Sequence, residues 1–281
     1  MSLVSLSELL EKAKITNSAV GAFSVCNLEM IKGVILAAEE LSLPVILQLK
    51  DEFAKGNDGL VLGGAMVNFA KLSKTDVAVH IDRCKKIDVI QKALDLGFTS
   101  VNVDGSDLEM GECIKFTKQV KKMAELYGAS VEAKFAPSKK YEGDENIYTS
   151  PEEAKMFCDE TGVDALSVVI GNDFTNDNPL SKIRFDLLDD IKRIVDTPLT
   201  MNCGEYITPE MLRQSVMLGI RKISVNDEII NVAAKGVFSV CKNREEFVDF
   251  KVLQESQGEA VYTFAKKYIK NFYLQGIEES N

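Results

Sequence analysis

Short apolar, β-branched runs alternate along the chain with longer stretches whose apolar residues recur at helical spacing. Each run ends in polar or glycine residues, and turn residues separate it from the helical stretch that follows. The pattern predicts eight strands, at residues 19–25, 45–49, 77–81, 100–103, 130–135, 165–170, 199–202 and 222–225. Helices are predicted between them.

Residues at the ends of the helical stretches support these boundaries. Gly97 follows the predicted helix 88–96, and Gly128 follows the predicted helix 109–127. Because glycine commonly ends a helix, both positions support the predicted helix ends. Ser150 precedes Pro151 and two glutamates, a sequence typical of a helix N-terminus.

The regular alternation bears on the number of domains. No Pro/Gly/Ser-rich linker and no change of composition divides the chain, so a closed barrel is favoured over two doubly wound domains. We therefore predict an α/β fold of the (βα)8 TIM-barrel type. Residues 1–281 are expected to form one such domain, with a helical C-terminal extension from about residue 245. The loop 136–149 is either a mobile lid over the barrel mouth or a long surface loop.

Composition narrows the range of partners and compartments. The formal net charge is −10, which disfavours nucleic acid and anionic membranes as partners. The six cysteines form no CxxC pair, so reduced thiols are expected. The chain shows neither a signal-peptide pattern nor an apolar stretch of membrane-spanning length, and a cytoplasmic protein is expected.

Five ordered motifs carry a family resemblance. They are GAFSVCNLE at 21–29, VHID at 79–82, VNVDGS at 101–106, SVEA at 130–133 and TGVDALSVVIG at 161–171. Together they resemble class II, zinc-dependent fructose-bisphosphate and tagatose-bisphosphate aldolases over about the first 230 residues. The resemblance implies carbon–carbon lyase chemistry on a phosphorylated sugar or related carbonyl compound, in a homodimer or larger homo-oligomer.

The resemblance also implies a zinc ion held by three histidines, but this chain has one histidine. The family pattern His-x-Asp-His is present as His80-Ile81-Asp82-Arg83, and the three ligand positions carry Arg83, Phe174 and Asn202. We therefore expect no zinc and no other cofactor.

A rebuilt metal site is one alternative to the loss of zinc. Cys84 and Cys203 adjoin two of the lost positions and could supply thiolates beside His80. Neighbouring residues of a strand point in opposite directions, which disfavours this alternative. His80 itself is interpreted as a satisfied core residue.

Further departures affect the expected substrate site. Lys134 occupies a position where the family has an acidic residue. At the end of the second strand, Lys50 and Asp51 replace a serine and an acidic residue of the family. Segment 202–206 (NCGEY) replaces a phosphate-binding loop, and Ser224 and Asp227 replace an asparagine and a threonine. Glu205 and Asp227 would repel a phosphate.

Two hypotheses follow for the barrel mouth. In the first, Asp82 transfers protons and Lys134 forms a Schiff base with the carbonyl substrate. In the second, Arg83, Lys134 and Lys50 neutralise Asp82 and Glu132 in a non-catalytic relative used for ligand binding or assembly. The residues predicted to bind substrate are Asn27, Lys50, Arg83, Glu132, Asn202, Gly204, Ser224 and Asn226.

Overall fold

Eight parallel strands close into a barrel. The computed structural model describes residues 2–54, 56–142, 147–172, 183–203, 207–242 and 247–274. The barrel strands are β1 (Val20–Ser24), β2 (Val45–Lys50), β3 (Val77–Cys84), β4 (Ser100–Gly105), β5 (Ser130–Phe135), β8 (Ala165–Ser167), β9 (Leu199–Cys203) and β10 (Ile220–Val225), hydrogen-bonded in the order β1-β10-β9-β8-β5-β4-β3-β2. The predicted (βα)8 barrel is confirmed.

Helices connect the strands and surround the barrel. They are α1 (Leu6–Ile15), α2 (Leu28–Leu41), α3 (Gly56–Leu72), α4 (Ile87–Asp95), α5 (Met110–Glu125), α6 (Pro151–Thr161), α7 (Phe185–Ile194), α8 (Pro209–Met217), α9 (Asp227–Cys241) and α10 (Phe250–Phe272). Ser150 caps α6 by accepting a hydrogen bond from the Glu153 amide, and Thr208 caps α8 in the same way. The predicted cap at Ser150 is therefore confirmed.

Helix α1 closes the N-terminal end of the barrel. Its side chains Leu6, Leu9, Leu10 and Ala13 are buried against small and apolar residues that face the barrel interior, namely Val20, Ala22, Ile46, Ala78 and Ala165. Polar side chains occupy the interior beyond this apolar layer. Active sites of this fold lie at the opposite end, at the C-terminal ends of the strands.

The C-terminal helix α10 packs on the outside of the barrel, against α2 and α9. Gly33 of α2 allows the close approach, because a Cβ atom there would lie 2.8 Å from the carbonyl oxygen of Gly258. Phe272, near the end of α10, is fully buried and its carbonyl accepts a hydrogen bond from the Ala19 amide. The predicted helical extension thus packs on its own barrel.

The loop after β5 has more structure than its sequence suggested. Lys139–Lys140 (β6) pairs antiparallel with Ile147–Tyr148 (β7), and Arg184 stacks 3.9 Å from the ring centre of Tyr141. No helix within the described ranges is long and apolar enough to cross a membrane.

Candidate active site

A buried ion pair occupies the centre of the polar interior. Lys222 of β10 donates a hydrogen bond to Glu132 of β5 across 2.6 Å, and both side chains are excluded from solvent. The Thr200 hydroxyl donates to the other Glu132 oxygen at 2.6 Å. The carboxylate therefore has both a counter-ion and a neutral donor, as a buried charge requires.

His80 completes this cluster as a neutral imidazole. Burial, and secondarily the nearby Lys222 ammonium, lower the pKa of His80 well below its usual value. Lys222 lies 3.2 Å from Nε2, so this nitrogen accepts, and Nδ1 carries the proton that it donates to the Ser100 hydroxyl at 2.7 Å. The interpretation of His80 as a satisfied core residue is confirmed.

Strand β3 carries a β-bulge at Asp82 and Arg83. Ile81 pairs with Val101 and Cys84 with Val103, so two residues of β3 stand opposite the single residue Asn102 of β4. Arg83 adopts a left-handed backbone with φ 56°, which is uncommon outside glycine, asparagine and aspartate.

At the bulge, Asp82 is buried, whereas the side chain of Arg83 is partly exposed to solvent. Asp82 is 2% exposed and accepts a hydrogen bond from Gln48 Nε2 at 3.3 Å. The Arg83 side chain is half exposed, with Nε 3.8 Å from the Asp82 carboxylate. Burial raises the pKa of Asp82, while Lys222 and Arg83 oppose that rise. A carboxyl in this environment is suited to proton transfer.

Ser224 and Asn226, two predicted substrate-binding residues, belong to a hydrogen-bonded network with Ser24 and Gln48. Ser24 Oγ and Gln48 Nε2 each donate to Asn226 Oδ1 at 2.7 Å, and Ser224 Oγ donates to Gln48 Oε1 at 3.1 Å. Because these groups hold one another in place, they form a pre-organised wall beside Asp82.

Charged residues at the rim pair mainly with one another. Lys50 forms an ion pair with Asp227 and lies 3.7 Å from Glu52. Lys134 is the register partner of Asp104 at the mouth end of β5 and β4. Asn202, at the mouth end of β9, is partly buried, and its carbonyl lies 3.5 Å from Asn172 Nδ2.

One expectation from the sequence requires correction. We expected Arg83, Lys134 and Lys50 to neutralise Asp82 and Glu132. Arg83 does lie beside Asp82, but the buried cation beside Glu132 is Lys222, and Lys50 is paired with Asp227. The strand pattern contained a signal for Lys222, since it lies two residues before Ser224 and so faces the same side of the strand.

Asn27 follows the C-terminal end of β1, and its side chain bonds to helices α2 and α10. Its side chain accepts a hydrogen bond from the Met30 amide and so caps α2, and its Nδ2 donates to Gln257 of α10 at 2.9 Å. Asn27, predicted from the sequence to bind substrate, is thus the N-cap residue of α2 in the structure. Gly204 and Phe174 lie outside the described residues.

The residues at the expected zinc positions do not fit zinc. Arg83 stays protonated, Asn202 supplies at most an amide, and Phe174 has no donor atom. Burial raises the pKa of the Cys84 and Cys203 thiols, which opposes the thiolate form that zinc requires. Within the described part of the chain, no three His, Cys, Asp or Glu side chains are grouped so as to hold a metal ion.

Comparison with known proteins assigns the family. The family described as fructose-bisphosphate aldolase class-II matches residues 4–276. The chain therefore belongs to the class II fructose-bisphosphate aldolase family, and the resemblance in its sequence motifs is confirmed.

Individual relatives agree over nearly the full length. The chain is 30% identical to the 6-phospho-5-dehydro-2-deoxy-D-gluconate aldolase of Halalkalibacterium halodurans, with 98% of each chain covered. It is 31% identical to a fructose-bisphosphate aldolase of Staphylococcus aureus, with 97% of this chain and 98% of the relative covered. The crystal structure of the YdjI aldolase from Escherichia coli K12 superposes with a TM-score of 0.86 at 27% identity, covering 99% of this chain and 100% of that one. The protein is thus aldolase-like in both fold and sequence.

Proposed function

We propose that this protein is a zinc-independent aldolase that cleaves or forms a carbon–carbon bond in a sugar phosphate or a related carbonyl compound. The proposal is carried by Asp82, a buried carboxyl with a raised pKa at the C-terminal end of a barrel strand. Active sites of this fold lie at that end. From the family resemblance we also propose a cytoplasmic homodimer or larger homo-oligomer.

Lys134 supplies the electron sink that zinc would otherwise provide. Its neutral amine attacks the substrate carbonyl, and the adduct takes up one proton from solvent and loses water to give an iminium ion; the final hydrolysis returns this proton. The Asp82 carboxylate removes the proton of the hydroxyl next to the breaking bond. As that bond breaks, its electron pair moves into the iminium and gives an enamine. An aldehyde leaves, Asp82 returns the proton to the enamine carbon, and water releases the ketone and the amine.

The positions of the two residues suit this division of roles. Lys134 lies two residues beyond Glu132 on β5, on the same face of the strand and nearer the mouth. Asp82 lies on β3, and only β4 separates these two strands in the barrel. Both residues thus belong to one sector of the mouth.

A non-catalytic ligand-binding or assembly role is the second candidate, favoured by the internal pairing of the interior. Glu132 is neutralised by Lys222 and Lys50 by Asp227, while Ser224 and Asn226 already have protein partners. An interior satisfied in this way would be stable without a substrate.

Metal analysis of the purified protein, combined with borohydride trapping in the presence of dihydroxyacetone phosphate, tests the proposal. Mass mapping should find an adduct on Lys134 in the absence of stoichiometric metal. Lys134→Arg should abolish the adduct, whereas Lys140→Arg, which alters an exposed lysine of the nearby hairpin, should not. Absence of both adduct and metal would support the non-catalytic role, and stoichiometric zinc would show that the assignment of ligand positions is wrong.

A further inference from the structure

Asn102 lies between the two parts of the proposed catalytic site. On one side its register partner is Glu132 of β5, and on the other side it faces the bulge of β3 that contains Asp82 and Arg83. The Asn102 side chain is 4% exposed. A group that reaches it must therefore enter the sector of the mouth that holds the proposed catalytic residues.

The Asn102 carbonyl oxygen is a buried acceptor without a donor. No hydrogen-bond donor among the described residues reaches its Oδ1 atom. Its neighbours differ in this respect, because Glu132, Asp82 and His80 all have hydrogen-bond partners. Leaving such an acceptor unpaired costs about 1–3 kcal/mol, and the great majority of buried polar groups avoid that cost.

The position of Asn102 along the strand indicates which donor could satisfy it. The next pair on the same face is Asp104 and Lys134, two residues nearer the mouth, which corresponds to about 6–7 Å along the strand. A substrate held through its carbonyl at Lys134 extends a few ångströms to either side. A hydroxyl on the carbon next to the carbonyl would lie within that range.

A neutral donor suits this position better than a cation. Lys222 already supplies a fully buried positive charge beside Glu132, and the half-exposed Arg83 adds a positive charge next to Asp82. A second buried cation here would be repelled by Lys222 and would lose its hydration. A hydroxyl carries neither cost and can donate a single hydrogen bond.

We propose that Asn102 determines ligand specificity by accepting a hydrogen bond from a hydroxyl adjacent to the carbonyl of the bound compound. The inference rests on the proposed function, because it uses Lys134 as the anchor of that carbonyl. It predicts a preference for compounds with a hydroxyl at this position. An analogue without this hydroxyl leaves the Asn102 acceptor unpaired and binds about 10- to 100-fold more weakly.

The test compares two probes that differ by one hydroxyl, dihydroxyacetone phosphate and hydroxyacetone phosphate. Isothermal titration calorimetry gives the ratio of their dissociation constants for the wild-type protein and for Asn102→Leu, which has a similar volume and no polar atom. We expect a ratio of about 10 to 100 for the wild type and close to 1 for the variant. The thermal unfolding midpoint of Asn102→Leu should equal or exceed that of the wild type, because the unpaired acceptor is gone.

Two further variants keep the test decisive. Thr117→Val removes a buried hydroxyl in helix α5, outside the barrel, and should leave the ratio unchanged. Should Asn102→Leu fail to fold, Asn102→Met provides an unbranched replacement for the same measurement.

The outcomes separate this inference from the proposed function. An unchanged ratio in Asn102→Leu, or a wild-type ratio near 1, overturns the role of Asn102, and a borohydride adduct on Lys134 would then leave the proposed function intact. Absence of binding to either probe together with absence of an adduct overturns both.

Discussion

Lys222 and Glu132 form an ion pair of 2.6 Å inside the barrel although they lie 90 residues apart in the chain. Their strands, β10 and β5, are separated in the barrel by β9 and β8, so the pair spans the interior. The contact therefore depends on barrel closure as well as on the two side chains.

The first prediction concerns the cost of breaking this pair. Lys222→Met leaves the Glu132 carboxylate buried without its counter-ion and should lower the free energy of unfolding by about 3–5 kcal/mol, measured by urea denaturation. The double variant Lys222→Met/Glu132→Gln removes both charges and should recover most of that loss.

A solvent-exposed pair provides the control. Lys118→Met breaks an ion pair with Glu160 in which both side chains are substantially exposed, and it should cost at most about 1 kcal/mol. Equal losses for Lys118→Met and Lys222→Met would contradict the importance of the buried pair, as would a double variant no more stable than Lys222→Met.

Much of the fold was predictable because the signals are local. Apolar β-branched runs, helical periodicity and caps such as Ser150 each depend on a few neighbouring residues, and all eight predicted strands are present. The predicted strand 165–170 is shorter in the structure, at Ala165–Ser167, although the residues after it are also buried.

The interior pairings were harder to predict because they depend on strand register. Asp82 was identified through a motif. The β-bulge that it forms with Arg83 could not be predicted from the residue types, because arginine has no preference for a left-handed backbone. Lys222 was missed as the partner of Glu132. Which side chains of β5 and β10 meet inside the barrel depends on the offset in register between these strands, and the sequence does not give that offset.

The second prediction uses the only histidine of the chain. The unfolded chain binds a proton at His80 below about pH 6.5, whereas the folded protein, with its lowered pKa, does not. The stability contributed by neutral His80 is therefore complete above about pH 6.5 and is lost as the pH falls, by up to about 1.4 kcal/mol per pH unit.

The His80→Gln variant isolates this effect. We expect the wild type to lose more stability than His80→Gln when the pH falls from 7.5 to 5.5. The free energies of unfolding of both proteins are measured by urea denaturation. The raised pKa of Asp82 has the opposite effect and increases stability as the pH falls. Because Asp82 is present in both proteins, its contribution cancels in the difference between them. A difference independent of pH would mean that His80 can be protonated in the folded state.

The third prediction concerns the backbone at Arg83. Because its φ is 56°, a β-branched replacement is strained there, whereas asparagine tolerates this region. Arg83→Val should be less stable to urea than Arg83→Asn by about 1–2 kcal/mol. Both variants remove the charge beside Asp82, so their difference reports the backbone alone, and equal stability would argue against the left-handed conformation.

The fourth prediction separates the two proposed catalytic roles. Asp82→Asn keeps the size of the side chain and its position beside Gln48 but cannot take a proton. Carbon–carbon bond cleavage should fall by about 10²- to 10⁴-fold, the usual contribution of a positioned general base. Adduct formation at Lys134 with dihydroxyacetone phosphate and borohydride should persist, since it requires only the amine.

Two measurements check this prediction: cleavage of a panel of ketose phosphates, and borohydride trapping followed by mass spectrometry. Loss of both would assign Asp82 a part in carbonyl binding, and loss of neither would remove it from the mechanism.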